Sequence, residues 1–205
     1  MIIVVATTNL HKLSEIRKIL RGSKLTLKPL SAFPLLPDVA ETGATLAANA
    51  VLKARATARA LKLPALADDS GLFVPALGGE PGVRSARYAG PGNDYAANNR
   101  KLLRRMRGLT GNQRRAFFAT TMALALPDGT IRIRTGKVWG TIGTELRGQN
   151  GFGYDPLFFP KGSNSTYAEM TPAAKNRASH RALAARKMVA VVREELLAKK
   201  KRKKR

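Results

Sequence analysis

The sequence predicts a mixed α/β fold, and three observations carry that expectation. Short apolar runs such as residues 2–6 are followed by segments with a helical apolar period, such as residues 10–20. Two long β-like runs, 116–127 and 130–142, flank Asp128-Gly129, a strong two-residue hairpin signal. Helical and extended segments alternate along the chain without an internal repeat. At 205 residues the chain has the length of one ordinary domain, or of one domain with two lobes.

Taken in order, residues 2–6 read as a short buried strand. The polar Thr7-Thr8-Asn9 follows, and Leu10, Leu13, Ile16, Ile19 and Leu20 share one helical face, with Asn9 as N-cap and Gly22 as stop. Residues 25–30 form a second strand, and the proline-containing stretch 31–43 a loop. Residues 45–63 make a long Ala-rich helix closed by Pro64. A very short strand at 65–68 leads into the acidic turn Asp68-Asp69-Ser70-Gly71. Residues 78–92 are too rich in Gly and Pro for regular structure, and 93–107 form a helix capped by Asn93. Residues 150–160 are a Gly/aromatic loop running into a strand. Thr171-Pro172 opens a helix, and Ser179 caps a last one reaching about Leu197.

A hydrophobic fraction of 44% is enough for a real core, which excludes gross disorder. The absence of cysteine excludes disulfides and thiolate metal sites. The apolar start is short and has no basic segment before it, so neither a signal peptide nor a membrane span is expected, and a cytoplasmic protein is the plain reading. The net charge is +24, of which the tail 199–205 supplies seven, leaving +17 on residues 1–198. Such a field attracts polyanions without choosing among them. It is read first as a solvated surface, with the tail expected to be disordered and to contact nucleic acid weakly.

The residues that can carry chemistry are few. Asp68 and Asp69 stand where a strand gives way to a turn, the place where α/β sheets gather ligands. Adjacent carboxylates repel unless a cation or a shared proton compensates. Magnesium, which takes one or two carboxylates together with phosphate oxygens, suits such a pair, and an ordinary turn accounts for it equally. Thr45, Asn49 and Lys53 are spaced i, i+4, i+8 on the long helix and make a polar stripe, either solvated or facing a ligand. Thr7 to Lys12 joins a strand to a helix N-terminus, an anion-friendly place although no Walker pattern is present. Gly151 and Gly153 permit close backbone approach, and Phe152 and Tyr154 offer rings for stacking or for the core. Lys175, His180 and Arg181 put cationic groups around a helix start, and neither histidine has zinc-like neighbours.

Five segments together resemble the inosine/xanthosine triphosphate pyrophosphatases, which act on deaminated purine nucleotides. They are ATTNLHKLSEI (6–16), ETGATLAANAVLKA (41–54), ALADDSGLFVPALGGEPGVRSARYAG (65–90), GQNGFGYDPLF (148–158) and YAEMTPAAKNRASHR (167–181). The resemblance implies hydrolysis of ITP, dITP and XTP to the monophosphate and pyrophosphate, with a magnesium-activated water attacking the α-phosphorus. It also implies an elongated mixed sheet with flanking helices, two lobes with the active-site cleft between them, and a homodimer. Asp69 looks like the general base. Glu41, Asp68 and Asp69 look like the Mg2+ carboxylates. Thr7, Thr8, Asn9, Leu10, His11 and Lys12, with Lys53 and Ser70, look like the triphosphate site. Phe152, Gly153, Tyr154, Asp155, Lys175, His180 and Arg181 look like the surround of base and sugar. Thr8 stands where the family has Gly, and Arg84 where it has an aromatic residue. Two other readings stay open: a nucleic-acid-binding protein, and an enzyme of the same reaction acting on standard or modified pyrimidine nucleotides.

Overall fold

The apolar run at the start of the chain forms β1 (Ile2–Val5), whose Ile3, Val4 and Val5 are wholly buried. Strands buried on both faces read as continuous apolar runs, which is why no alternation marks this one. The computed structural model describes residues 2–23, 25–34, 36 and 39–202. Six strands make one sheet in the order β2-β1-β3-β4-β5-β6: β2 (Thr26–Pro29), β3 (Ala65–Phe73), β4 (Arg115–Ala125), β5 (Ile131–Ile142) and β6 (Phe158–Pro160). β1 runs parallel to β2, with Ile2 opposite Thr26, and parallel to β3, with Val5 opposite Leu66. β5 and β6 are antiparallel, with Ile142 opposite Phe158. The sheet is therefore mixed, as expected. The helices are α1 (Leu10–Ile19), α2 (Leu46–Leu61), α3 (Tyr95–Arg105), α4 (Pro172–Ala178) and α5 (His180–Arg202). Among the described residues no helix is long and apolar enough to cross a membrane.

The chain divides into two compact units: Met1–Asp69, Thr120–Gly136 and Arg181–Arg205 make the first, Ser70–Ala119 and Lys137–His180 the second. In the first, strand alternation sorts the side chains between two cores. Leu66 of β3 and Met122 and Leu124 of β4 pack with Leu13 and Ile16 of α1 and Ala185, Met188 and Val192 of α5. Ala65, Ala67, Ala123 and Ala125 point the other way and meet Ala50, Ala54 and Ala58 of α2. Methyl groups on both sides let α2 lie close to the strands, which brings its polar residues within hydrogen-bond reach of β3. In the second unit Leu72, Leu102, Met106, Phe118, Leu157, Phe158 and Tyr167 share a core.

Several local expectations change. β3 does not stop at Asp68 but continues extended through Asp69, Ser70 and Gly71 to Phe73, so the acidic segment is strand and not turn. Gly71 is there for room: a Cβ would stand 2.4 Å from the carbonyl oxygen of Gly82. The hairpin loop is longer than two residues. Leu126 donates to Thr130, Gly129 donates to Leu126, and Gly129 has φ +88°, a turn closed by a left-handed glycine. Residues 82–87 in the Gly/Pro-rich stretch form a 3-10 helix. The third helix is capped by Asp94, which accepts from the Ala97 amide at 2.9 Å, and not by Asn93. α5 continues past Leu197 into the basic tail as far as Arg202, in keeping with the helix propensity of Lys and Arg and the favourable field for cations at a helix C-terminus. Residues 203–205 lie outside the described residues.

Candidate active site

Within the first unit, β3 presents its two aspartates to different partners because successive strand residues face opposite ways. Asp68 shares the face of Leu66. Its Oδ2 lies 3.5 Å from Nζ of Lys12 and accepts from Nε of Arg181 at 3.3 Å. Arg181 in turn donates through Nη1 to Glu15 of α1. Asp69 shares the face of the small alanines and accepts from Asn49 Nδ2 of α2 at 3.0 Å. Asn49 uses its own Oδ1 to accept from the Gly43 amide at 2.7 Å, which ties the segment holding Glu41 to α2. One turn along α2, Lys53 donates to Glu41 Oε1 at 2.6 Å and to the carbonyl of Asp68 at 2.8 Å. The Asn49/Lys53 stripe is therefore turned toward β3, with Asn49 wholly buried.

Four carboxylates and three cations meet here, and their fields differ. Burial alone would push Asp68 up, but Lys12, Arg181 and Lys53 hold it well below the usual carboxylate range. Burial raises Asp69, with Glu41 adding repulsion, and Lys12, Lys53 and the Asn49 hydrogen bond only partly offset this. Lys12 is lowered by burial, despite Asp68. Lys53 is raised, since Asp68, Glu41 and Asp69 together outweigh its burial. Asp68 is thus a fixed anion and Asp69 a carboxylate whose charge is disfavoured, a difference in environment that adjacent positions in the sequence hide.

Asn9 caps α1 through its side chain, accepting from the Lys12 amide at 3.1 Å, while Thr7 Oγ1 accepts from the Asn9 amide at 3.2 Å. Of this segment Lys12 joins the carboxylate cluster, whereas Thr8, Leu10 and His11 stand exposed. Ser70 follows Asp69 on β3 and is half-buried.

A second group forms within the second unit. Asp155 Oδ2 accepts from the Phe152 amide at 2.8 Å and from Lys175 Nζ at 2.6 Å, and Lys175 lies 5.0 Å from the centre of the Phe152 ring. Gly151 is obligatory: at φ +79° a Cβ would stand 2.0 Å from Asp155 Oδ2. Tyr154 instead enters the core and donates to the Ser85 carbonyl at 3.0 Å. His180 is 3% exposed and stacks on Phe118, with centres 4.6 Å apart and planes 9° from parallel.

Some participants escape a reading of the sequence. Glu15 is the lone acid of a basic helix, three residues from Lys12, and that isolation was its signal. Asn99 of α3 donates to the Gly153 carbonyl at 2.9 Å, and Tyr95 lies against Phe152. Nothing in the sequence around them marks either one.

The chemistry of the first group suits a hard divalent cation. Glu41 and Asp69 are both oxygen donors, Glu41 adds to the cost of ionising Asp69, and a bound cation relieves that. Among the described residues no preformed cage of three or more metal-ligating side chains exists, and magnesium, which keeps waters and substrate oxygens in its shell, does not require one.

A carboxylate and lysine cluster at the sheet's parallel β1/β3 pair, on a mixed α/β fold, fits the class of phosphate-handling hydrolases. The sequence model of the Ham1 family matches residues 3–191, and the chain belongs to the Ham1 family. A Streptomyces avermitilis protein named dITP/XTP pyrophosphatase is 49% identical over 196 residues, covering 95% of this chain and 98% of its own. A solved HAM1 protein from Coxiella burnetii superposes with a TM-score of 0.86 at 40% identity, covering 95% of this chain and 99% of its own. The Staphylococcus aureus Ham1 protein does so with a TM-score of 0.85 at 38% identity, over 95% and 100%.

Proposed function

We propose that this chain hydrolyses dITP, ITP and XTP to the nucleoside monophosphate and pyrophosphate, removing deaminated purines from the nucleotide pool. The observation that carries the reading is Asp69: a buried carboxylate with a raised pKa, held by Asn49 beside Glu41 and under the field of Lys12 and Lys53. Relatives that align over nearly the full chain and bear the name dITP/XTP pyrophosphatase support it.

In this reading Asp69 accepts a proton from the water that attacks the α-phosphorus, and the bond to the bridging oxygen breaks as pyrophosphate leaves with the electron pair. A carboxylate with a raised pKa is the better base for that step. Lys12 and Lys53 offset charge gathering on the phosphate oxygens. A lysine ammonium has three donors, so Lys53 can keep Glu41 and the Asp68 carbonyl and still meet a phosphate. Glu41 and Asp69 would hold Mg2+, which supplies further charge neutralisation and a more acidic water. Asp68, expected with them from the resemblance, leaves the other face of β3 and is held by Lys12 and Arg181 instead. Thr7 to Lys12 and Ser70 take the triphosphate. Phe152 to Asp155 and Lys175 take the base, with Phe152 as the stacking ring, while His180 and Arg181 act through what they hold. Hydrolysis in 18O-labelled water tests the point of attack. The label is expected in the monophosphate, and label in pyrophosphate would place the attack on the β-phosphorus.

The cytoplasm is the location expected of an enzyme that acts on the nucleotide pool, and a homodimer is what the family resemblance implies; sedimentation of a monomer at working concentration would contradict the dimer. The basic tail has no part in catalysis. Deleting residues 199–205 is expected to leave kcat and KM for dITP unchanged, while lowering any affinity for single-stranded DNA and flattening its salt dependence.

A further inference from the structure

We propose that Tyr95 and Asn99 of α3 are positioning residues for the substrate base, fixing the Phe152-Gly153 segment that meets it. The inference rests on the reading of Phe152–Asp155 as the base-binding segment. Tyr95 and Asn99 are one helical turn apart and so project from one face of α3. The Tyr95 ring lies 5.9 Å from that of Phe152, tilted by 43°. The Asn99 amide holds the next residue by its carbonyl, at 2.9 Å. Gly153 has φ +66°, and no neighbouring atom lies within 4 Å of where its Cβ would stand. Packing therefore does not wedge Gly153 in place, and the Asn99 bond orients its peptide. Asp155 and Lys175 hold the same segment through the Phe152 amide and ring. Two grips, one from α3 and one from α4, leave Phe152 ordered before a base arrives, which lowers the ordering cost of binding.

Asn99 is also costly where it stands. It is 5% exposed, and its Oδ1 is buried with no hydrogen-bond partner among the described residues. A leucine of the same branched shape would occupy the place without burying an orphan acceptor. Stability does not explain an asparagine at this place, whereas the donor it aims at Gly153 does.

The test compares Asn99→Leu, Tyr95→Ala and Tyr95→Phe with the unaltered protein, by steady-state kinetics with dITP and dATP, thermal melting, and hydrogen exchange of the peptide spanning residues 150–157. Asn99→Leu and Tyr95→Ala are expected to raise KM for dITP roughly five- to tenfold, the size of one lost hydrogen bond or ring contact. They leave kcat within about threefold, narrow the dITP-over-dATP preference and speed exchange of the loop. Tyr95→Phe, which keeps the ring, restores all of these. Should Asn99→Leu fold poorly, the half-exposed Tyr95 pair carries the comparison alone. Unchanged KM and exchange in folded variants of an active enzyme overturn this inference by itself. An unaltered protein that releases no pyrophosphate from dITP or XTP overturns the functional reading beneath it.

Discussion

Asp69→Asn is expected to lower kcat for pyrophosphate release from dITP by about 10²- to 10⁴-fold, the usual contribution of a positioned general base. The replacement has almost the same shape, and its carbonyl oxygen can still accept from Asn49. What it loses is the ability to take a proton. Stability should not fall with activity. The folded pKa of Asp69 lies above its ordinary value, so at neutral pH the fold carries a charge that burial and Glu41 disfavour. Removing that charge leaves the melting temperature of the metal-free protein unchanged or higher. A variant that loses activity by unfolding would speak against the assignment, as would one that keeps its full rate.

Arg181→Met should have the opposite signature, a large loss of stability. Arg181 is 1% exposed and bonded to both Asp68 and Glu15. Removing it leaves Asp68, itself fully buried, with Lys12 at 3.5 Å and the more distant field of Lys53 as partial compensation. Breaking a buried pair from one side costs about 3–5 kcal/mol. At the size of this chain that lowers Tm by roughly 6–20 °C. Adding Glu15→Gln to the variant should recover part of the loss, since one of the two carboxylates that face Arg181 is then neutral and the substitutions share a partner. Thermal melts of the two variants check both statements. Equal melting temperatures for Arg181→Met and the unaltered protein would mean that the ion network does not hold the fold.

The pattern of apolar residues was enough to read the class of fold, because burial on one or both faces leaves a period in the sequence. β1, the long α2, the Asn9 and Thr171 caps and the helix opened by Pro172 all stand where local chemistry puts them. The acidic segment misled for a physical reason. Asp, Ser and Gly are turn formers, but Gly71 is selected by the approach of the Gly82 carbonyl, a contact between distant parts of the chain. The hairpin signal at Asp128-Gly129 gave the place and not the length, because the left-handed glycine ends a longer loop.

The site was legible to a similar depth. The spacing of Thr45, Asn49 and Lys53 left a solvated face and a ligand-facing one both open, and the fold turns Asn49 and Lys53 toward β3. The residues alone did not separate Asp68 from Asp69, and only the family resemblance singled out Asp69, because their environments follow from which side of the strand each side chain leaves. The same holds for Arg181. Its sequence neighbours point to substrate, while Glu15, 166 residues away along the chain, decides where the guanidinium lies. Tyr95 and Asn99 stay hidden because their role depends on a loop more than fifty residues downstream.

The proposed activity is a preference for deaminated purines. Recognition through donors aimed at a 6-oxo group leaves those donors unpaired against the amino group of adenine, at about 1–3 kcal/mol for each. Initial rates of pyrophosphate release with dITP, XTP, dATP and dTTP, measured in magnesium, test it most directly. kcat/KM for dITP and XTP should exceed that for dATP and dTTP by at least roughly tenfold, whereas equal or faster turnover of dATP or dTTP would contradict the account.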